Sequence, residues 1–197
     1  LVSAEFDDDR GGYWAFDLSA LHGDELSVLR TVVHLRHGVA AVVDDIRACE
    51  DTDVRLRWHT AAPAAADAEG RFTVVAGDVR MTARMSCVHD EAHIARGTHA
   101  YQPPHDTGRQ GAPLDARCES YVELTTRGRR VRLVSVFCVF DPGQPAEPWR
   151  RPGPGEWTVD APDGLVVLRI GDEQLTLTNH NTRRQWNLPL PKTQHGL

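Results

Sequence analysis

A chain of 197 residues, 41% of them hydrophobic and 25% charged, has the length and composition of one β-rich globular domain with its own core. No apolar run approaches the roughly 20 residues that a bilayer-crossing helix needs, so no membrane partner is expected. The formal net charge of −6 excludes nucleic acid as the main partner, because phosphate binding needs clustered excess Lys and Arg, and only Lys192 among the 22 basic residues is a lysine.

Leu1-Val2-Ser3-Ala4-Glu5 shows no basic segment followed by a long apolar one, so no secretion signal is visible. The chain begins without Met, and a signal or an upstream domain is expected to lie outside it; a periplasmic or secreted location is implied if the parent protein carries a signal. From there, apolar and polar residues alternate, which predicts strands over 26–36, 39–48, 54–61, 71–76, 79–85, 121–126, 131–140, 165–170 and 174–178. Tight turns are predicted at His37-Gly38, Gly77-Asp78, Arg127-Gly128 and Gly171-Asp172, where glycine adopts positive φ cheaply.

Two stretches interrupt this meander. Residues 86–118 hold His89, His93, His99 and His105 with Pro103-Pro104 and Gly108, and read as a long irregular loop. Residues 141–163 carry six prolines and read as an extended crossing segment before a last hairpin, too small to fold alone. The expected fold class is therefore all-β, an antiparallel two-sheet β-sandwich with long irregular loops, with 1–197 as one domain. Its apolar phase predicts burial of Val43, Leu56, Trp58, Val79, Met81, Leu133 and Phe137.

Period-two alternation puts Val54, Leu56 and Trp58 on one side of their strand and Arg55, Arg57 and His59 on the other. On the 79–85 strand, Arg80, Thr82 and Arg84 oppose Val79, Met81, Ala83 and Met85. If the strands share a sheet, Arg55, Arg57, Arg80 and Arg84 form a guanidinium face suited to carboxylates or sulfates, which Arg binds in a bidentate way. The same pattern also describes a solvated outer face neutralised by Asp44, Asp45, Asp51 and Asp53.

His89 and His93 would share a face only in a helix, and Asp90, Glu91 and Asp106 add oxygen ligands, so a metal-stabilised loop is a second possibility beside simple exposure. The four cysteines, Cys49, Cys87, Cys118 and Cys138, lack CxxC spacing and read as buried thiols, with one or two disulfides open if the protein is exported. No Ser-His-Asp order, phosphate-binding glycine loop or HExxH helix is present. Tyr101, Tyr121, Trp14, Trp58, Trp149, Trp157 and Trp186 suit either sugar stacking or a sandwich core.

Arg30-Thr31-Val32, a turn at His37-Gly38, Val42-Val43-Asp44-Asp45-Ile46 and then Trp58-His59 form a succession of strands that resembles the C-terminal β-domain of bacterial polysaccharide lyases of the heparinase II/III-like family, over residues 10–140. The resemblance implies the tail portion of a larger lyase, preceded by a helical toroid that carries much of the chemistry and closed on one side by this β-domain. Such lyases cleave uronic-acid-containing chains by β-elimination, so an acidic polysaccharide and the upstream toroid are the implied partners. His59 is the implied catalytic residue and, with a divalent metal such as zinc as the implied cofactor, the implied metal ligand. A lone histidine does not hold zinc, which takes about four ligands, and a strand-end histidine bonded to a carbonyl is the plain alternative. Without the toroid's groups, the chain alone is expected to be inactive. The rival readings are a non-catalytic sandwich that binds carbohydrate or protein, and a metal-stabilised structural domain.

Overall fold

The computed structural model describes residues 1–23, 25–36, 38–60, 64–89, 91–100 and 118–190, apart from the Cys118 side chain. The described residues form strands and one 3-10 turn at Ser19–Leu21, with no α-helix. The larger sheet holds β1 (Ser3–Asp7), β2 (Gly11–Asp17), β3 (Leu26–Leu35), β4 (Val39–Thr60), β5 (Ala65–Ala66), β6 (Arg71–Ala76), β7 (Val79–Cys87), β8 (His93–Ala100) and β9 (Cys118–Phe140). Its order is β1-β2-β3-β4-β9-β7-β6-β5, with β8 also paired to β9. The smaller sheet is a meander of β10 (Arg150–Gly153), β11 (Glu156–Ala161), β12 (Gly164–Ile170), β13 (Gln174–Asn179) and β14 (Arg184–Pro189). All pairings are antiparallel, as expected of a two-sheet sandwich.

Two long strands organise the larger sheet. β4 and β9 run side by side from Val39 opposite Cys138 to Thr60 opposite Ser120. One end of β9 takes β7 as its second neighbour, over Leu133 to Phe140, and the other end takes β8, over Cys118 to Thr125. Between them the β4–β9 register slips, because residues 48–51 of β4 stand against Arg129 alone. Arg129 Nη2 covers part of this bulge by donating to the Cys49 carbonyl at 2.7 Å.

Alternation on these strands separates two hydrophobic clusters. Val33, Leu35, Ala41, Val43, Val134, Val136 and Cys138 pack with Trp149, Trp157, Leu168, Leu177 and Trp186 of the smaller sheet and its approach. The second cluster joins Val54, Leu56, Val122 and Leu124 to Phe72, Ala83, Met85 and Leu133. Since Val122 and Leu124 share it with Val131 and Leu133, the in-and-out phase of β9 must shift once between Thr126 and Val131. Trp157 Nε1 donates to Ser86 Oγ at 3.0 Å, which satisfies one of the largest buried side chains.

Several expectations are corrected. The strands expected at 39–48 and 54–61 are one strand, as are those at 121–126 and 131–140; Gly128 pairs within the ladder opposite Thr52 instead of turning. Gly38 and Gly77 do take positive φ, at 89° and 61°, whereas Gly171 does not. The long loop contains β8, and the proline-rich segment crosses between sheets only up to Trp149 before β10 and β11 begin, so the chain ends in a five-stranded sheet and not a hairpin. Val43, Leu56 and Leu133 are buried, and Trp58, Met81 and Phe137 are half-buried. Val79 is 43% exposed, because β9 ends at Phe140 opposite Arg80 and leaves no third strand beside it. Cys87 and Cys138 are buried, burial holding the Cys138 thiol up to about 12, while the free Cys49 is exposed on the bulge.

Candidate functional site

The β4–β9–β8 end of the larger sheet gathers its polar groups on one ladder face. Arg55, Arg57 and His59 stand opposite Thr125, Glu123 and Tyr121 of β9, and Gly97 and His99 of β8 stand opposite Tyr121 and Glu119. Their neighbours Val54, Leu56, Val122 and Leu124 are buried in the core, so the alternating partners must face outward. All three expected residues, Arg55, Arg57 and His59, are indeed exposed on that face.

His59 Nδ1 lies 3.0 Å from Glu119 Oε2, with both side chains 40% exposed. A carboxylate at Nδ1 favours the tautomer with its proton there, which leaves Nε2 as the proton acceptor. The His59 ring is 6.0 Å, centre to centre, from both Tyr121 and His99. Arg57 stacks 4.6 Å above the Tyr121 ring and pairs with Glu123, which holds its guanidinium above its ordinary value. A methyl group on Gly97 would sit 2.3 Å from the Tyr121 hydroxyl, so the ring rests where only glycine leaves room. The result is an open surface with two imidazoles, a phenol and two guanidinium groups within one sheet face.

Arg80 and Arg84 do not join it. β7 pairs with the opposite end of β9, where Arg80 is exposed beside Phe140 and Arg84 turns toward Trp149. Nor do the expected aspartates neutralise the face: Asp44 pairs with Arg30, and Asp45 with Arg132. Asp53 pairs with Arg127 at 3.7 Å, and the nearest counter-charge to Arg57 is Glu123, which alternation alone did not reveal.

Among the described residues, no three His, Cys, Asp or Glu side chains converge to hold a metal, so His59 has a carboxylate neighbour but no ligand set. His93 begins a strand, so the helical condition under which His89 and His93 would share a face is not met. Asp90, His105, Asp106 and Tyr101 lie outside the described residues.

The sequence reading missed an apolar trough of about 560 Å³ on the other side of β4, lined by Val32, Val42, Trp58, Met81, Phe137 and Val139 with Arg30 and His34 at its rim. Asp44, 3% exposed, grips Arg30 through both carboxylate oxygens at 2.6 and 3.0 Å. Trp58 Nε1 donates to Ser135 Oγ at 2.8 Å, and its ring meets Phe137 edge-on at 5.0 Å. Burial pushes the His34 imidazole below its ordinary value. The available signal was the second apolar phase of 32, 40 and 42, which marks a strand apolar on both faces.

No protein-family model and no curated protein matches the chain. Its fold matches solved structures. A heparan sulfate lyase, HepC, from Pedobacter heparinus superposes with a TM-score of 0.61 at 13% identity, over 99% of this chain and 29% of that one. A mutant of that lyase gives 0.61 at 14% identity, over 98% and 29%. A heparinase III with methylated lysines gives 0.59 at 8% identity, over 93% of this chain and 26% of that one. The likeness is one of fold, and the chain spans between 26% and 29% of the length of these neighbours.

Proposed function

We propose that this chain is the β-sandwich domain of a polysaccharide lyase like heparinase III, forming one wall of a cleft in which a uronic-acid-containing chain is cleaved by β-elimination. The observation that carries the reading is the agreement of fold over nearly the whole chain with heparan sulfate lyase structures. The His59 face adds the chemistry. In β-elimination a base takes the C5 proton, the C4–O bond breaks as the C4–C5 double bond forms, and an acid gives a proton to the leaving oxygen. Arg55 and Arg57 suit the uronate carboxylate, whose neutralisation makes the C5 proton removable. His59, with Nε2 as its proton acceptor, suits proton transfer. The remaining groups belong to a helical toroid in the same parent protein.

One observation favours a second reading, a sandwich that binds protein: the trough is apolar and open, as an interface centre is. Turnover separates the two. The full-length protein should release 4,5-unsaturated products from heparan sulfate or another uronate polymer, while residues 1–197 alone should not, because one positioned histidine does not supply both proton transfers. Full-length protein inactive on every uronate polymer, or robust turnover by the isolated chain, would overturn the lyase reading as stated.

A further inference from the structure

Arg84 is a poorly accommodated charge. Its Nε is buried without a hydrogen-bond partner, and its only neutral contact is a long one, Nη1 to the Trp149 carbonyl at 3.4 Å. No carboxylate among the described residues pairs with it. Burial first, then the charges of Arg71 and Arg151, pull its guanidinium below the ordinary value. Arg71 is itself committed, to Asp67 at 2.7 Å and to Glu69. Arg151 donates to the Val88 carbonyl at 2.9 Å and lies 5.3 Å over the Trp157 ring, also without a paired carboxylate among the described residues.

Arg84 and Arg151 both line a cavity of about 360 Å³, whose wall also includes Glu69, Ser86 and Glu91. That volume lies within the range of small-ligand clefts, about 300–1,000 Å³. A half-buried guanidinium whose Nε is enclosed without a partner and which no carboxylate pairs is costly, and an anion entering the cavity would lower that cost. The two acids do not compete for the role. Glu69 is held by Arg71, and Glu91 is exposed, where a carboxylate accepts hydrogen bonds from hydroxyls.

We infer that this cavity binds one anionic sugar unit, with its carboxylate or sulfate on Arg84 and Arg151 and its hydroxyls on Glu91. The choice of a sugar rests on the proposed function; the oxyanion seat does not. Arg84 stands opposite Val136 of β9 and His59 opposite Tyr121, and none of Arg55, Arg57, His59 or Tyr121 lines the cavity, so this is a second site on the domain.

The test is binding by the chain alone, at constant ionic strength set with chloride, of sodium glucuronate, sodium sulfate and glucose. Thermal shift and titration should show glucuronate and sulfate binding to the wild type and glucose not binding. R84M should lose at least about tenfold in affinity while its ligand-free Tm stays level or rises, since an unpaired, half-buried charge has gone. R151Q should also weaken both anions. If R84M fails to fold, R151Q and the Arg84 Nε–Hε resonance of the wild type decide: the resonance should move on titration with either anion. Equal anion responses in wild type and variants, an unmoved resonance, or no binding by the wild type overturns the inference. Sulfate bound without glucuronate would keep the oxyanion seat and overturn the sugar. None of these outcomes depends on turnover, so the lyase reading stands or falls separately.

Discussion

Arg132 donates from Nε to Asp45 Oδ1 at 2.6 Å, and the pair is nearly buried, with side chains 8% and 12% exposed. The same guanidinium donates to the carbonyls of Gly171, at 2.8 Å, and Asp172, at 3.2 Å. One side chain on β9 therefore ties the larger sheet to the β12–β13 turn of the smaller one.

R132M should cost on the order of 3–5 kcal/mol at neutral pH, because it leaves a buried carboxylate unpaired and two carbonyls without their donor. Burial raises the Asp45 carboxyl above its ordinary value of 3.8, against the pull of Arg132. For a raised acid, ionisation costs stability as pH climbs from 3.8 through the folded value. The penalty of R132M should accordingly shrink as pH falls and Asp45 takes up a proton. Urea unfolding across that range checks it; a penalty under about 1 kcal/mol, or one that grows on acidification, would contradict the clasp.

Asp67 behaves oppositely. Burial alone would raise it, but the side-chain and backbone hydrogen bonds from Arg71 prevail and hold it below 3.8. Its contribution is present above pH 3.8 and lost as pH falls through the lower folded value. D67N should therefore destabilise the β5–β6 turn at neutral pH and flatten the acid limb of the stability profile. Thermal melts of both proteins from neutral pH downward provide the check, and parallel acid limbs would count against it.

At the candidate site, G97A should force Tyr121 off its seat, since the new methyl would fall 2.3 Å from the hydroxyl. The expected loss is about 1–3 kcal/mol or less, because the ring is only half-buried and can move. The informative readout is the Tyr121 ring resonance, which should lose its shift from Arg57 stacking. An unchanged resonance would mean that Gly97 does not set the ring's place.

Alternation made the sandwich legible, and it placed Arg55, Arg57 and His59 on one face correctly because strand period is local. It did not join Arg127-Gly128 into a continuous strand, since a glycine beside charged residues looks the same at a bulge as at a turn. β8 hid among histidines and small residues with no alternation of its own, its pattern supplied by pairing with β9. Glu119, Tyr121 and Glu123 reach the site from some sixty residues away, and only strand register reveals that. Arg80 and Arg84 were grouped with Arg55 because they share a sheet, yet they occupy the other end of its longest strand.

The most direct measurement is calorimetric titration of the chain with an acidic uronate oligosaccharide, comparing wild type with R55A/R57A. Arg55 and Arg57 lie on the same face about 7 Å apart, two residues along a strand, a spacing suited to neighbouring groups of a sugar chain. The wild type should bind, the binding should weaken with added salt because the contacts are exposed and charge-assisted, and the double variant should bind more weakly while staying folded, with some stability lost where Glu123 is left unpaired. Equal affinities for the two proteins, or no binding by either, would contradict a polysaccharide wall and leave the Arg face a solvated surface.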